Sequence, residues 1–315
     1  MKHMKISVVI PTYGCPEALE PLHKRLVDTL VKITKNYEII FVNDSCPKGS
    51  WQIIEKICKK DKKVVGINLS RNFGQVHSTN AGINYATGDY VVLMDCDLQD
   101  RPEAILELYK TINQEKGIDI VFSKRTDRKD TKTTLFLSNM FYKVYNCFID
   151  GYFDGNIGNQ CIVKKKVVEE YKKIQDQNKS FINYLFWMGF NSKTIELIGD
   201  KRYEGKSSYT LRKKIDLAIE TITSQSNKPL KLLIKFGTII ASLSFLFLII
   251  QVIMYFVNKN VTEGWTSIIA SIFLMGGLIL TSLGGIGIYV GNIFDQTRGK
   301  PEYIIDKILN NTKKE

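Results

Sequence analysis

Two stretches of this chain carry no charged side chain, residues 236–258 and residues 264–294. Each exceeds the roughly 20 apolar residues that a helix needs to cross the hydrocarbon core of a bilayer. Globular helices average only about 11–12 residues, which weighs against a pair of buried core helices. Lys228, Lys231 and Lys235 precede the first run, and Arg298, Lys300 and Lys307 follow the second. The connecting NKNVTEG carries only Lys259 and Glu263. By the positive-inside rule, both outer flanks are expected on the cytoplasmic side and the short loop outside. The expected organisation is a cytosolic domain over residues 1–228, transmembrane helices at 229–258 and 264–294, and a cytosolic tail at 295–315. That is a multi-pass protein of the cell membrane with its main domain in the cytoplasm. Gly287 and Gly291, at G-x-x-x-G spacing, allow close helix contact and leave room for a homo-oligomer, although glycine is common in such helices anyway.

The rest of the chain must supply the chemistry. With 315 residues and 44% hydrophobic content there is enough for one sizeable core besides the spans. A formal charge of +12 points to anionic partners: nucleic acid, a membrane surface or phosphorylated substrates. The charge is spread over loops and span flanks, which speaks against nucleic acid. The six cysteines, Cys15, Cys46, Cys58, Cys96, Cys147 and Cys161, show no C-x-x-C spacing. A reduced compartment is therefore expected, with neither a disulfide framework nor a zinc site. The N-terminal MKHMKISVVIPTYG is too short in its apolar run for a signal peptide and reads as a first strand.

From there, strand-like and helix-like segments alternate. Strands are expected at 6–11, 37–42, 64–69, 90–94 and 118–123, with helices at 17–32, 51–60 and 76–86 and another from Pro102 toward Gly117. Alternation at this spacing implies a mostly parallel sheet with helices on both faces. Such sheets bind ligands at the carboxyl ends of their strands. Asp44 follows the second strand, and Asp95 and Asp97 follow the fourth, so all three are expected at one crevice. Residues 135–149 form an amphipathic pattern that suits either a membrane interface or an ordinary core-facing helix.

The segment VVLMDCDLQD at residues 91–100 carries the strongest chemical signal. Two carboxylates one residue apart at a strand end repel each other unless a cation lies between them. Oxygen ligands favour Mg²⁺ or Mn²⁺ over zinc, and Gln99 offers a further oxygen. A divalent cation would in turn neutralise a phosphate ligand. An isolated Asp-x-Asp is a common solvated loop; here the preceding apolar strand and the basic loops favour a metal site.

IPTY at the first strand, FVNDS after the second, LSRNFGQ after the third and MDCDLQDRPE after the fourth resemble family 2 glycosyltransferases. Together with RYEGKSSY and two terminal spans, they most resemble the polyprenyl-phosphate branch that includes dolichol-phosphate mannose synthases. The resemblance covers nearly the whole chain. It implies a GT-A fold and transfer of a sugar from a nucleotide sugar (UDP-glucose or GDP-mannose) to a polyprenyl phosphate such as undecaprenyl phosphate, with inversion. It further implies that Pro11, Tyr13 and Asp44 line the nucleoside pocket and that Asp95, Asp97 and Gln99 hold the metal against the diphosphate. Arg125 would seat a phosphate, and Arg202 and Lys206 would close over the diphosphate or acceptor, with Arg128 and Lys132 as further candidates.

Two departures stand out. Where the family commonly has Asn-Glu after the first-strand Tyr, this chain has Gly14-Cys15, and Glu17 is the candidate substitute. Where many members carry a catalytic acid, alignment on Gly158 places Asn156 and Asn159, leaving Asp154 as the nearest carboxylate. His77, alone on a helix, reads as structural. Among rivals, a polysaccharide synthase would carry Gln-x-x-Arg-Trp, which this chain lacks. A nucleotidyltransferase would leave the nucleotide phosphate on its product. A non-catalytic membrane scaffold would have little need of Asp95 and Asp97 together with Arg202.

Overall fold

The computed structural model describes residues 4–125, 146–147, 157–176, 179–197, 228–232, 235–239 and 264–311, with five single positions between 242 and 253. The chain forms two compact units. One comprises Met1–Lys143, Gly151–Tyr209 and Lys300–Glu315; the other comprises Val144–Asp150 and Thr210–Gly299.

The first unit begins as its hydrophobic patterning dictates. Strand β1 (Ile6–Thr12) is buried along its full length, as a central strand covered on both faces must be. Then come helix α1 (Pro16–Leu30), β2 (Tyr37–Asn43), α2 (Ser50–Lys60), β3 (Val64–Leu69), α3 (Gln75–Tyr85), β4 (Tyr90–Leu93), α4 (Ala104–Gln114) and β5 (Ile120–Arg125). These match the alternation expected from the sequence to within a few residues. After an undescribed interval come β6 (Ile157–Lys164), α5 (Lys165–Lys173), α6 (Phe181–Trp187) and β7 (Ser192–Leu197).

The sheet order is β7-β5-β6-β4-β1-β2-β3-β8, where β8 is Ile305–Leu309. β1 pairs in parallel with β2 and β4, and β2 with β3, which is the parallel arrangement foreseen. β6 lies antiparallel between β4 and β5, and β8 lies antiparallel on β3. Both antiparallel strands fall in segments for which the sequence suggested no strand.

Side chains alternate across the sheet to form two cores. Ile6, Val8 and Ile10 of β1 face α1, α2 and α4, packing with Leu19, Leu22, Leu26, Ile54 and Leu108. Val9 faces the other way, with α3, α5 and α6 contributing Ala81, Val168, Tyr171 and Leu185. Gly82 of α3 is required there, because a Cβ would lie 2.3 Å from Cγ1 of Val9. α3 therefore crosses β1 with its backbone close against the sheet.

The C-terminal segment is a sheet edge rather than a loose tail. Tyr303 Oη accepts from Asn84 Nδ2 at 2.8 Å, and Glu302 accepts from Asn80 Nδ2 at 2.9 Å. Asn310, at φ 52°, donates through Nδ2 to the carbonyls of Cys58 (2.7 Å), Val64 (2.9 Å) and Asp61 (3.3 Å). One asparagine thus fastens β8 to the end of α2 and the start of β3.

In the second unit, α7 (Trp265–Thr297) is a helix of 33 residues. Its stretch Met275–Phe294 is the one helix, among the described residues, long and apolar enough to cross a membrane. Ile279, Leu280, Leu283 and Ile293 are all exposed on it. The first apolar run falls largely outside the described residues, as does most of the amphipathic segment 135–149, so the two-span expectation rests on one observed helix.

Candidate active site

The chain proceeds from β1 through β2 to β3 in one direction along the sheet, then returns to β4 on the other side of β1. The loops leaving β1 and β4 therefore diverge, and an open sheet offers its ligand crevice at this switch point. Every sequence-level candidate in the described part lies at this carboxyl edge.

Asp95 and Asp97 occupy the turn that leaves β4, both half-buried, with Gln99 beside them. The turn is held by its own backbone groups. The Asp95 amide donates to Asp100 Oδ2 at 3.3 Å, and the Gln99 amide donates to Asp97 Oδ1 at 3.1 Å. Leu98, between them, has φ 62° with its side chain buried. A leucine in the left-handed region is strained, and burial of its side chain holds it there. The Asp95 carboxylate also accepts from two side-chain amides. Gln75 Nε2, at the start of α3, donates at 2.8 Å; Asn159 Nδ2, on β6, lies 3.0 and 3.3 Å from its two oxygens. Asn159, which the alignment places where many members carry an acid, donates here to a metal-ligand candidate. Gln75 was missed, although it stands in the quoted LSRNFGQ.

Asp44 ends β2 almost fully buried. Its two carboxylate oxygens accept from the backbone amides of Phe73 (2.7 Å) and Gly74 (2.9 Å). It therefore fixes the loop between β3 and α3, whose Gly74 takes φ 97°. Pro11 is buried within β1, Tyr13 is half exposed at its end, and Glu17 is exposed in the first turn of α1. A side-chain chain runs from Asp306 on β8 to Asn68 (3.1 Å), then to Asn43 (2.7 Å), whose Oδ1 accepts from the Cys46 amide at 3.4 Å. His77 lies half-buried on α3.

The expectation of unpaired cysteines does not hold. Cys15 and Cys96 form a disulfide across 81 residues of sequence, with their Cα atoms 6.5 Å apart. Because β1 and β4 are neighbours, a bond can join their following loops at the base of the crevice, and sequence spacing carries no trace of this. Burial pushes the thiols of Cys58 and Cys161 up to about 12, which makes them unreactive.

Arg125 closes β5, and its side chain is not described. Asp154, Asn156, Arg128, Lys132, Arg202 and Lys206 lie outside the described residues.

An α/β sheet of this order with an acidic turn at its switch point is the architecture of a nucleotide-sugar transferase. Residues 7–172 match the model of Glycosyl transferase family 2, and the chain belongs to that family. It is 32% identical to the uncharacterized glycosyltransferase YkcC of Bacillus subtilis, over 97% of this chain and 94% of that one. It is also 32% identical to the SfII prophage-derived bactoprenol glucosyl transferase of Shigella flexneri, over 96% of this chain and 98% of that one. Among solved structures, glucosyl-3-phosphoglycerate synthase from Mycobacterium tuberculosis has a TM-score of 0.50 at 13% identity, covering 70% of this chain and 78% of that one. That likeness concerns the fold alone.

Proposed function

We propose that this chain is a membrane-bound, metal-dependent, inverting hexosyltransferase that moves a sugar from a nucleotide sugar to polyprenyl phosphate. The observation that carries this reading is the end-to-end relationship to a bactoprenol glucosyl transferase. The same relationship favours UDP-glucose over GDP-mannose as donor.

The residues of the β4 turn fit a hard divalent cation. Asp95, Asp97 and Gln99 present oxygens only, and Mg²⁺ commonly takes one or two carboxylates and leaves its other positions to substrate phosphates. Mg²⁺ or Mn²⁺, when bound, supplies positive charge against the donor diphosphate.

The chain's own residues bind and orient. Pro11, Tyr13 and Asp44 border the nucleoside, with Glu17 nearby. Asp44 acts by shaping the β3–α3 loop. Arg125, Arg202 and Lys206 take phosphate groups of donor or acceptor. An oxygen of the acceptor phosphate attacks the anomeric carbon as the bond to the diphosphate breaks on the opposite face. Catalysis is mainly positioning and charge stabilisation. The acceptor is a phosphate monoester with a second pKa of about 6, so near neutral pH it is mostly dianionic and needs no proton removed. Asp154 is then a positioning group rather than a required base. Two spans, with the basic flanks inside, keep the site at the cytoplasmic membrane surface where the lipid phosphate lies.

The test is incubation of the purified full chain with undecaprenyl phosphate and a panel of nucleotide sugars, with lipid products read by mass spectrometry. The expected product is polyprenyl phosphate carrying one hexose. A product that retains a nucleotide phosphate, or no lipid product with any donor, overturns the reading.

A further inference from the structure

We propose that Cys15 and Cys96 form a redox modification site on the donor crevice, whose disulfide weakens cation binding at the β4 turn and whose reduction restores it. The inference rests on the transferase reading above only in what the crevice is for; the cysteine chemistry stands on geometry.

Cys96 is the residue between Asp95 and Asp97, and Cys15 caps the start of α1 just beyond β1. Their bond therefore crosses the switch-point crevice from the loop after β1 to the loop after β4. Any ligand seated between those loops meets a tether with its Cα atoms 6.5 Å apart. The tether also fixes the backbone between the two carboxylates that must turn toward one ion. Each arm has a residue in the left-handed region beside the cysteine: Gly14 at φ 79° before Cys15, and Leu98 at φ 62° two residues after Cys96. A Cβ at Gly14 would meet nothing within 4 Å, so the β1 arm is open at that position. Gly14-Cys15 is also where this chain departs from the Asn-Glu common in the resembling family.

Two of the other cysteines do not compete for this role. Cys58 and Cys161 are buried thiols pushed up to about 12. Cys46 is buried, and its Sγ accepts from the Gly14 amide at 3.2 Å. Cys15, half-buried, is the more accessible sulfur of the pair, since Cys96 is 7% exposed. A dithiol reductant attacks Sγ of Cys15 as a thiolate. The Cys15–Cys96 bond breaks, and Cys96 leaves as a thiolate that takes a proton. The second thiol of the reductant then resolves the mixed disulfide. Two electrons and two protons pass to the protein, and the reductant becomes a cyclic disulfide. A low-molecular-weight disulfide reverses the change.

The experiment uses the full chain in detergent, oxidised with diamide or reduced with dithiothreitol, with Mn²⁺ alone as the probe, followed by electron paramagnetic resonance. Mass spectrometry of peptides records whether Cys15 and Cys96 are linked. The oxidised protein is expected to bind Mn²⁺ about tenfold more weakly than the reduced, a usual size for such coupling. Cys15→Ser should behave as the reduced protein under both conditions. A Cys46→Ser/Cys147→Ser background should keep the full response. Absence of the linked peptide under diamide, or equal Mn²⁺ affinity in the two verified states, overturns the proposal. Glycolipid synthesis measured in parallel separates the two readings. If it fails while the Mn²⁺ response persists, the transferase assignment falls and the redox site stands.

Discussion

At the scale of single residues, the acidic turn after β4 carries most of the chemistry. Asp97→Ala removes one of two carboxylates while leaving both cores untouched. We expect glycosyl transfer to fall by a factor on the order of 10³ or more, several kcal/mol of lost charge stabilisation, with an unchanged circular dichroism spectrum. Asn159→Ala should act more gently. It removes the amide that lies 3.0 and 3.3 Å from the two oxygens of Asp95. Loss of such an outer partner weakens metal binding by about tenfold, which Mn²⁺ titration would register. An unchanged affinity would show that Gln75 alone suffices. Asp154→Asn, by contrast, should cost less than about tenfold in turnover, under 1.4 kcal/mol of barrier, because the acceptor is already ionised. A thousandfold loss in folded protein would make that carboxylate a required base. The metal pair was legible because its residue types and its place after an apolar strand are both local in sequence. The contacts of Asn159 and Gln75 with Asp95 were not legible because that common partner is 64 and 20 residues away.

Elements show where the fold is held, at the end of the strands opposite the site. Glu38 at the start of β2 is buried and accepts from Lys5 Nζ (2.6 Å), Ser7 Oγ (2.6 Å) and the Thr87 amide (2.8 Å). Burial pushes its carboxyl up, but these hydrogen bonds and the Lys5 charge outweigh that and hold it below its ordinary value. A depressed carboxyl contributes stability that is complete above the unfolded Glu range and is lost as pH falls through the folded value. Glu38→Gln should therefore cost about 2–3 kcal/mol at pH 7, the size of hydrogen bonds to a charged group. The deficit relative to the parent should shrink below about pH 4, where the parent loses its advantage. Denaturant melts at pH 7 and pH 3.5 test this; a pH-independent difference would contradict it. Asn310→Ala should cost about 2–3 kcal/mol, through lost bonds to three carbonyls and left-handed strain on alanine. The first five strands and four helices were readable because buried runs and helical periodicity both signal locally. β6, β7 and β8 were not. β7 is largely exposed, and β8 follows the apolar helix after a short turn, so neither carries a buried-strand signature.

The whole molecule combines a crevice-forming sheet with a long apolar helix on which Ile279, Leu280, Leu283 and Ile293 are exposed. The proposed topology places residue 261 outside the cell and both termini in the cytoplasm. A cysteine introduced at Val261, in a background stripped of native thiols, should react with a membrane-impermeant thiol reagent applied to intact cells. Labelling only after lysis would contradict that orientation. The family and the α/β sheet were legible because the motifs fall at strand ends. The Cys15–Cys96 bond was not, because it exists only once β4 lies beside β1.

The most direct test of the account is the identity of the leaving group. Nucleotide products should be quantified against glycolipid formed by the purified chain, with and without excess EDTA and with Mn²⁺ restored. The account predicts one nucleoside diphosphate released per glycosylated polyprenyl phosphate, both products ceasing in EDTA and both returning with Mn²⁺. Release of nucleoside monophosphate, or full turnover in EDTA, would contradict it.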